Sequence, residues 1–245
     1  MPKLFKFISF QSDFWHQPLA EEKLYFASTQ DLRNPNDPLE FVHRWEYNSK
    51  FFQKFKDHFK DHYNSLFEKT RILCLTTERS NYCWKEFSKE DGICYEFDFS
   101  HHNAASDIFS REVEYGEKEL NVPSYIIAFL EDERLKKLIT KKFTLLPSQL
   151  GEIRDNFEAK TPQIFINHIL NELSLKKTMP FRQEKEYRFV HLEPGFGETE
   201  VIVLMPEGKV SFQELGLSLV KIHTSDTAKV RTKFPNCDIE VVLFE

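Results

Sequence analysis

MPFRQEKEYRFVHL, from Met179 to Leu192, places Glu184, Glu186 and Arg188 at alternate positions, with Lys185, Tyr187, Phe189 and Val190 between and after them. Read as one strand, successive side chains point to opposite faces, so the three charges share a face. Such a face is either a solvated surface with a local ion pair or the lining of a polar site.

Working outward, the same period recurs. GICYEFDF (Gly92–Phe99) sets Ile93, Tyr95, Phe97 and Phe99 on one side and Cys94, Glu96 and Asp98 on the other. LFKFISF (Leu4–Phe10), KLYFAS (Lys23–Ser28), ILCLTT (Ile72–Thr77), VEY (Val113–Tyr115), EVIVLMP (Glu200–Pro206), LVKIHT (Leu219–Thr224) and DIEVVLF (Asp238–Phe244) are further expected strands. Between Phe41 and Thr70, Phe51, Phe55, Phe59, Tyr63 and Phe67 recur every fourth residue, which predicts a helix with a core-packing stripe. Helices are also expected over Ser124–Lys142, over Thr161–Lys176 with Pro162 in the first turn, and briefly over FQELGL (Phe212–Leu217). Another is expected over Ser225–Phe234, capped near Thr224 or Ser225. TQDLRNPNDPLE (Thr29–Glu40) holds two prolines and reads as a structured loop, with Asp37 poised as a cap. The expected architecture is one α+β domain over residues 1–245, a mixed or antiparallel sheet with flanking helices.

The net charge of −6 disfavours broad binding to nucleic acid or an anionic membrane. Seven glycines leave no Gly-rich phosphate loop, and 25 phenylalanines predict an aromatic core. Cys74, Cys83, Cys94 and Cys237 lack metal spacing, and His101-His102 is a poor chelate, so no metal is expected. The opening residues lack a signal peptide's apolar core and no run is long enough to span a bilayer. A cytoplasmic protein with reduced thiols and no membrane partner is the expectation.

Several stretches in order resemble a bacterial family described only as a domain of unknown function. They are the LFKF strand, Asn36-Asp37-Pro38 with Glu40, Cys74 to Thr76, Trp84 and Phe87 ahead of Gly92–Phe97, Val113 to Tyr115, and Lys177 with Glu184–Arg188. Cys83 stands where that family often has Met, and Phe181 near where it often has Trp. More distantly the order is similar to the mono-ADP-ribosyltransferase fold, which pairs a polar residue on an early strand with a mid-chain hydroxyl and a late Glu-x-Glu. Here Lys6 replaces the usual Arg or His.

That resemblance implies NAD as cofactor, a nucleotide as small-molecule partner, and a site built from Lys6, Thr76, Glu184, Glu186 and Arg188. Cleaving the nicotinamide–ribose bond builds positive charge on the ribose, which a fixed carboxylate stabilises. Glu186 is the candidate for that role, and Glu184 for orienting the acceptor or taking its proton. Lys6 or Arg188 would hold the diphosphate, and Thr76 or Thr77 would orient the carboxylate. Two other readings stay open. Glu96, Asp98, Glu184 and Glu186 on neighbouring strands could hold Mg²⁺ for phosphodiester cleavage. A non-catalytic ligand-sensing or partner-binding module, with the Asn36-Asp37-Pro38 loop and Trp84 forming a rim, is the other.

Overall fold

The computed structural model describes residues 2–28, 45–68, 70–104, 108–115, 122–131, 175–176, 179–192 and 208–245. The expected loop at Thr29–Glu40, the strand at Glu200–Pro206 and most of the helix at Thr161–Lys176 lie outside them.

In chain order the strands are β1 (Lys3–Ser9), β2 (Lys23–Tyr25), β3 (Ala27–Ser28), β4 (Thr70–Thr76), β5 (Gly92–Ala104), β6 (Ile108–Glu112), β7 (Glu114–Tyr115), β8 (Leu175–Lys176), β9 (Glu186–Leu192), β10 (Lys209–Ser211), β11 (Leu215–Thr224) and β12 (Glu240–Leu243). The helices are α1 (Gln17–Glu21), α2 (Lys50–Glu68), α3 (Asn81–Ser88), α4 (Ser124–Glu131) and α5 (Thr227–Lys233). The main sheet runs β12-β11-β5-β1-β4-β9-β6, with β3 also on β4. Among the described pairings within it only β11 and β12 run parallel, so it is mixed, one of the two forms expected.

Both faces of the sheet are covered. One carries Leu4, Leu73, Leu75, Tyr95, Phe97, Phe99 and Phe189, packed with residues of α1, α5 and the β2–β10 ribbon. The other divides in two. Phe5, Phe7 and Cys94 pack against Cys83 and Trp84 of α3, while Ile72 and Val190 pack against Phe52, Phe59 and Tyr63 of α2 and Ile126 and Leu130 of α4. The alternation of GICYEFDF survives intact, because both its faces find partners.

Four expectations are corrected. The strand at Met179–Leu192 begins only at Glu186: Met179–Glu184 is a 3-10 turn, and Lys185 adopts a left-handed φ of 47° between the two. FQELGL is not helical, since a turn at Phe212 leads into β11, which starts at Leu215. Leu175–Lys176, the expected end of a helix, pairs as β8 with β7. The α5 cap is Asp226, whose carboxylate accepts from the Lys229 amide, one residue beyond the expected caps. Of the expected α2 stripe, Phe59 and Tyr63 are buried and the half-buried Phe55 packs against the same cluster, which Phe52 joins.

Candidate functional site

β4 is shared along one edge by two strands. β1 meets it only at Phe5↔Thr76, while β3 pairs at Ala27↔Ile72 and Ser28↔Arg71. Between these rungs the edge has no strand partner among the described pairings. Lys6 fills the break, donating from Nζ to the Cys74 carbonyl at 3.0 Å. Burial lowers its ammonium below the ordinary lysine value, against the pull of the nearby Glu186 carboxylate.

On the face beside that break, Thr76 lies directly opposite Glu186 and Cys74 opposite Arg188. Directly opposed residues share a face. The row therefore runs Thr76·Glu186, Cys74·Arg188, Ile72·Val190, from polar to apolar toward α2. Arg188 clamps Glu186 with Nε on Oε1 at 2.7 Å and a terminal nitrogen on Oε2 at 3.3 Å. Their side chains are only 4% and 5% exposed, so the pair is out of water. Burial and the Glu186 carboxylate push the Cys74 thiol up to about 12. Arg111 stands opposite Arg188 across β6 and β9 but turns to Glu114, which separates the like charges.

The approach to Glu186 is anchored from three sides. The Lys185 carbonyl accepts from the Thr77 amide at 2.8 Å and from its hydroxyl at 3.2 Å. The Glu186 amide donates to the Tyr115 hydroxyl at 2.8 Å, and its carbonyl accepts from the Val113 amide at 2.9 Å. The Cys83 thiol lies 3.7 Å from the Glu184 carbonyl.

Thus Thr76, Glu186 and Arg188 share one face, whereas Lys6, paired with Tyr95, starts from the other and reaches the break through the Cys74 carbonyl. Two details depart from expectation. Glu184 closes the 3-10 turn, so the strand's alternation does not carry it onto the face of Glu186, although it too is buried. The Thr76 hydroxyl donates to the Glu78 carbonyl at 2.8 Å rather than to Glu186.

A second polar group was not legible from the sequence. His223 Nε2 lies 2.7 Å from Glu96 Oε2, and Lys3 bonds the other Glu96 oxygen. Arg79 approaches His223 Nδ1 at 3.1 Å. A guanidinium only donates, so Nδ1 carries the lone pair and Nε2–H donates to Glu96. Burial lowers the His223 pKa and Arg79 lowers it further, while the Glu96 hydrogen bond opposes them. Burial alone would raise the Glu96 carboxyl, but the Lys3 and His223 hydrogen bonds outweigh it and hold it below the ordinary value. Arg79 also lies over the Phe244 ring, 5.2 Å from its centre, and Phe244 stacks on Trp84 at 4.1 Å. Trp84, expected at a rim, is instead buried under that stack.

Among the described residues no cluster of three or more His, Cys, Asp or Glu is placed to hold a metal. Glu96 and Glu186 fall in one row, but β1 and β4 lie between their strands. Three strand spacings are about 14 Å, too far for one cation to bridge. No described helix is long and apolar enough to cross a membrane. Compared with known proteins, the chain matches no protein-family model, no curated sequence and no solved structure.

Proposed function

We propose that this protein is an ADP-ribosyltransferase-like enzyme that takes up NAD at the break in its sheet, with Glu186 as the carboxylate that stabilises the ribose cation. The observation that carries this reading is the position of Lys6. Its ammonium is electrostatically coupled to Glu186, and the same side chain lines an open cleft between β1 and the β2–β10 ribbon. The Lys6 side chain thus lines the cleft on one face and ends on the Cys74 carbonyl at the break, near enough for the Glu186 carboxylate to favour its charge.

Arg188 and the Cys74 thiol both bond the Glu186 carboxylate, so a ribose hydroxyl binds it by displacing one of them. In the step, the ribose–nitrogen bond breaks with its electron pair leaving on nicotinamide. An acceptor oxygen or nitrogen, water included, bonds to the ribose carbon and releases its proton to solvent. With Glu186 about 5% exposed, substrate reaches it only when that face opens.

The same low exposure favours one other reading: a nucleotide-binding module in which Glu186 and Arg188 are a structural pair. Nicotinamide release from NAD, followed chromatographically, separates the two. The transferase reading expects release by the wild type and none by Glu186→Gln or Glu186→Asp, each confirmed folded by circular dichroism. Release at the wild-type rate by a folded Glu186→Gln protein rejects it, and NAD binding without release selects the binding module.

A further inference from the structure

We propose that the cleft beside β1 binds a nucleoside phosphate, through three lysines that take the phosphate and aromatic rings that take the base. The cavity is about 350 Å³ and runs from the β2–β10 ribbon to Phe87 of α3, past the edge of β1 that β4 leaves open. Lys6, Lys23 and Lys209 line it, and no carboxylate is among the described lining residues. Three ammonium groups border the hollow, and Lys209 brings the Glu21 carboxylate with it. Such concave positive clefts concentrate anions. Lys209 is held in place by Glu21, at 3.0 and 2.8 Å to its two oxygens.

The rings supply the second half of the argument. Phe14, Tyr25 and Phe87 border the cavity and are 63%, 52% and 43% exposed. Elsewhere the aromatic side chains are mostly packed into the three core clusters. Large apolar surface left in water beside a positive hollow suits a flat aromatic guest that carries negative charge. Stacking on such rings tolerates any base, whereas a bare phosphate gains nothing from them. The volume sits at the small end of ligand pockets, about 300–1,000 Å³, which fits a mononucleotide unit better than a whole dinucleotide.

The inference stands on the cleft alone and does not need Glu186 to be catalytic. Isothermal titration of the full chain with AMP and ADP, against adenosine and inorganic phosphate, tests it. AMP is expected to bind at least roughly tenfold tighter than adenosine or phosphate. Lys23→Ala should weaken AMP by roughly tenfold. Phe14→Ala should weaken it by roughly fivefold. Both variants should keep the wild-type melting temperature. No binding of AMP or ADP at millimolar concentration overturns the inference. So does unaltered affinity in both cleft variants, or phosphate binding as tight as AMP.

Discussion

Arg188 and Glu186 sit two residues apart on β9, each almost wholly out of water. An ion pair so placed has paid its desolvation cost in full, so removing one member strips a buried charge of its bidentate partner. Glu186→Gln should lower stability by about 3 kcal/mol or more, while a Glu186→Met/Arg188→Met double variant should lose less than the single. Urea denaturation of the three proteins checks this; a single variant as stable as wild type would mean the guanidinium finds another acceptor. The His223–Glu96 group makes a pH prediction. The His223 pKa is lowered from 6.5 in the folded state, so as pH falls through 6.5 the unfolded chain takes up a proton that the folded one refuses. Stability therefore drops on the acid side of 6.5. Glu96, lowered from 4.5, adds a second loss as pH falls below that value. Melting temperature followed from pH 8 toward pH 5 should show the first loss in wild type and not in His223→Gln.

Turns and caps decide what could be read from the chain at the level of elements. Ser80 caps α3, accepting from the Cys83 amide at 3.2 Å, so Ser80→Ala should cost about 1 kcal/mol by thermal or chemical unfolding. Gly92 opens β5 where a Cβ would sit 2.3 Å from the Ile8 carbonyl oxygen and 2.8 Å from Ser88 Cβ. Gly92→Ala should therefore destabilise by about 1–3 kcal/mol, because the obstructing atom is backbone and cannot swing aside. Strands whose alternation is matched by partners on both faces, such as β5, were legible. So were β1 and β4. The start of β9 was not, because Lys185 takes a left-handed turn that nothing in EKEYRF announces and that is held by the distant Thr77. β6 was passed over, since IFSRE gains its strand character from pairing with β9. The candidate site was half legible: type and order pointed to Lys6, Thr76 and Glu186. The His223–Glu96 contact spans 127 positions and leaves no local trace.

Across the whole molecule, burial separates the four thiols. Cys83 and Cys94 are fully buried, Cys74 is pushed up to about 12, and Cys237 is half-buried near the surface turn after α5. Alkylation of the native protein near pH 8 should modify Cys237 well ahead of the others, read by peptide mass spectrometry. Prior or equal labelling of Cys74 would mean the face over Glu186 stands open. The shared edge of β4 bears on that opening. β1 with β5, β11 and β12 forms one plate, and β4 with β3, β9 and β6 forms another. One rung at Phe5↔Thr76, one ammonium on Cys74 and a shared aromatic face, where Phe99 meets Tyr187 and Phe189, hold them together. A slight tilt of one plate about that rung would spread the slot while leaving each ladder whole. The toll is the charge-assisted bond, about 1.5–3 kcal/mol, plus whatever aromatic packing the tilt opens, and a wedged anion can return the first part by taking over the same lysine.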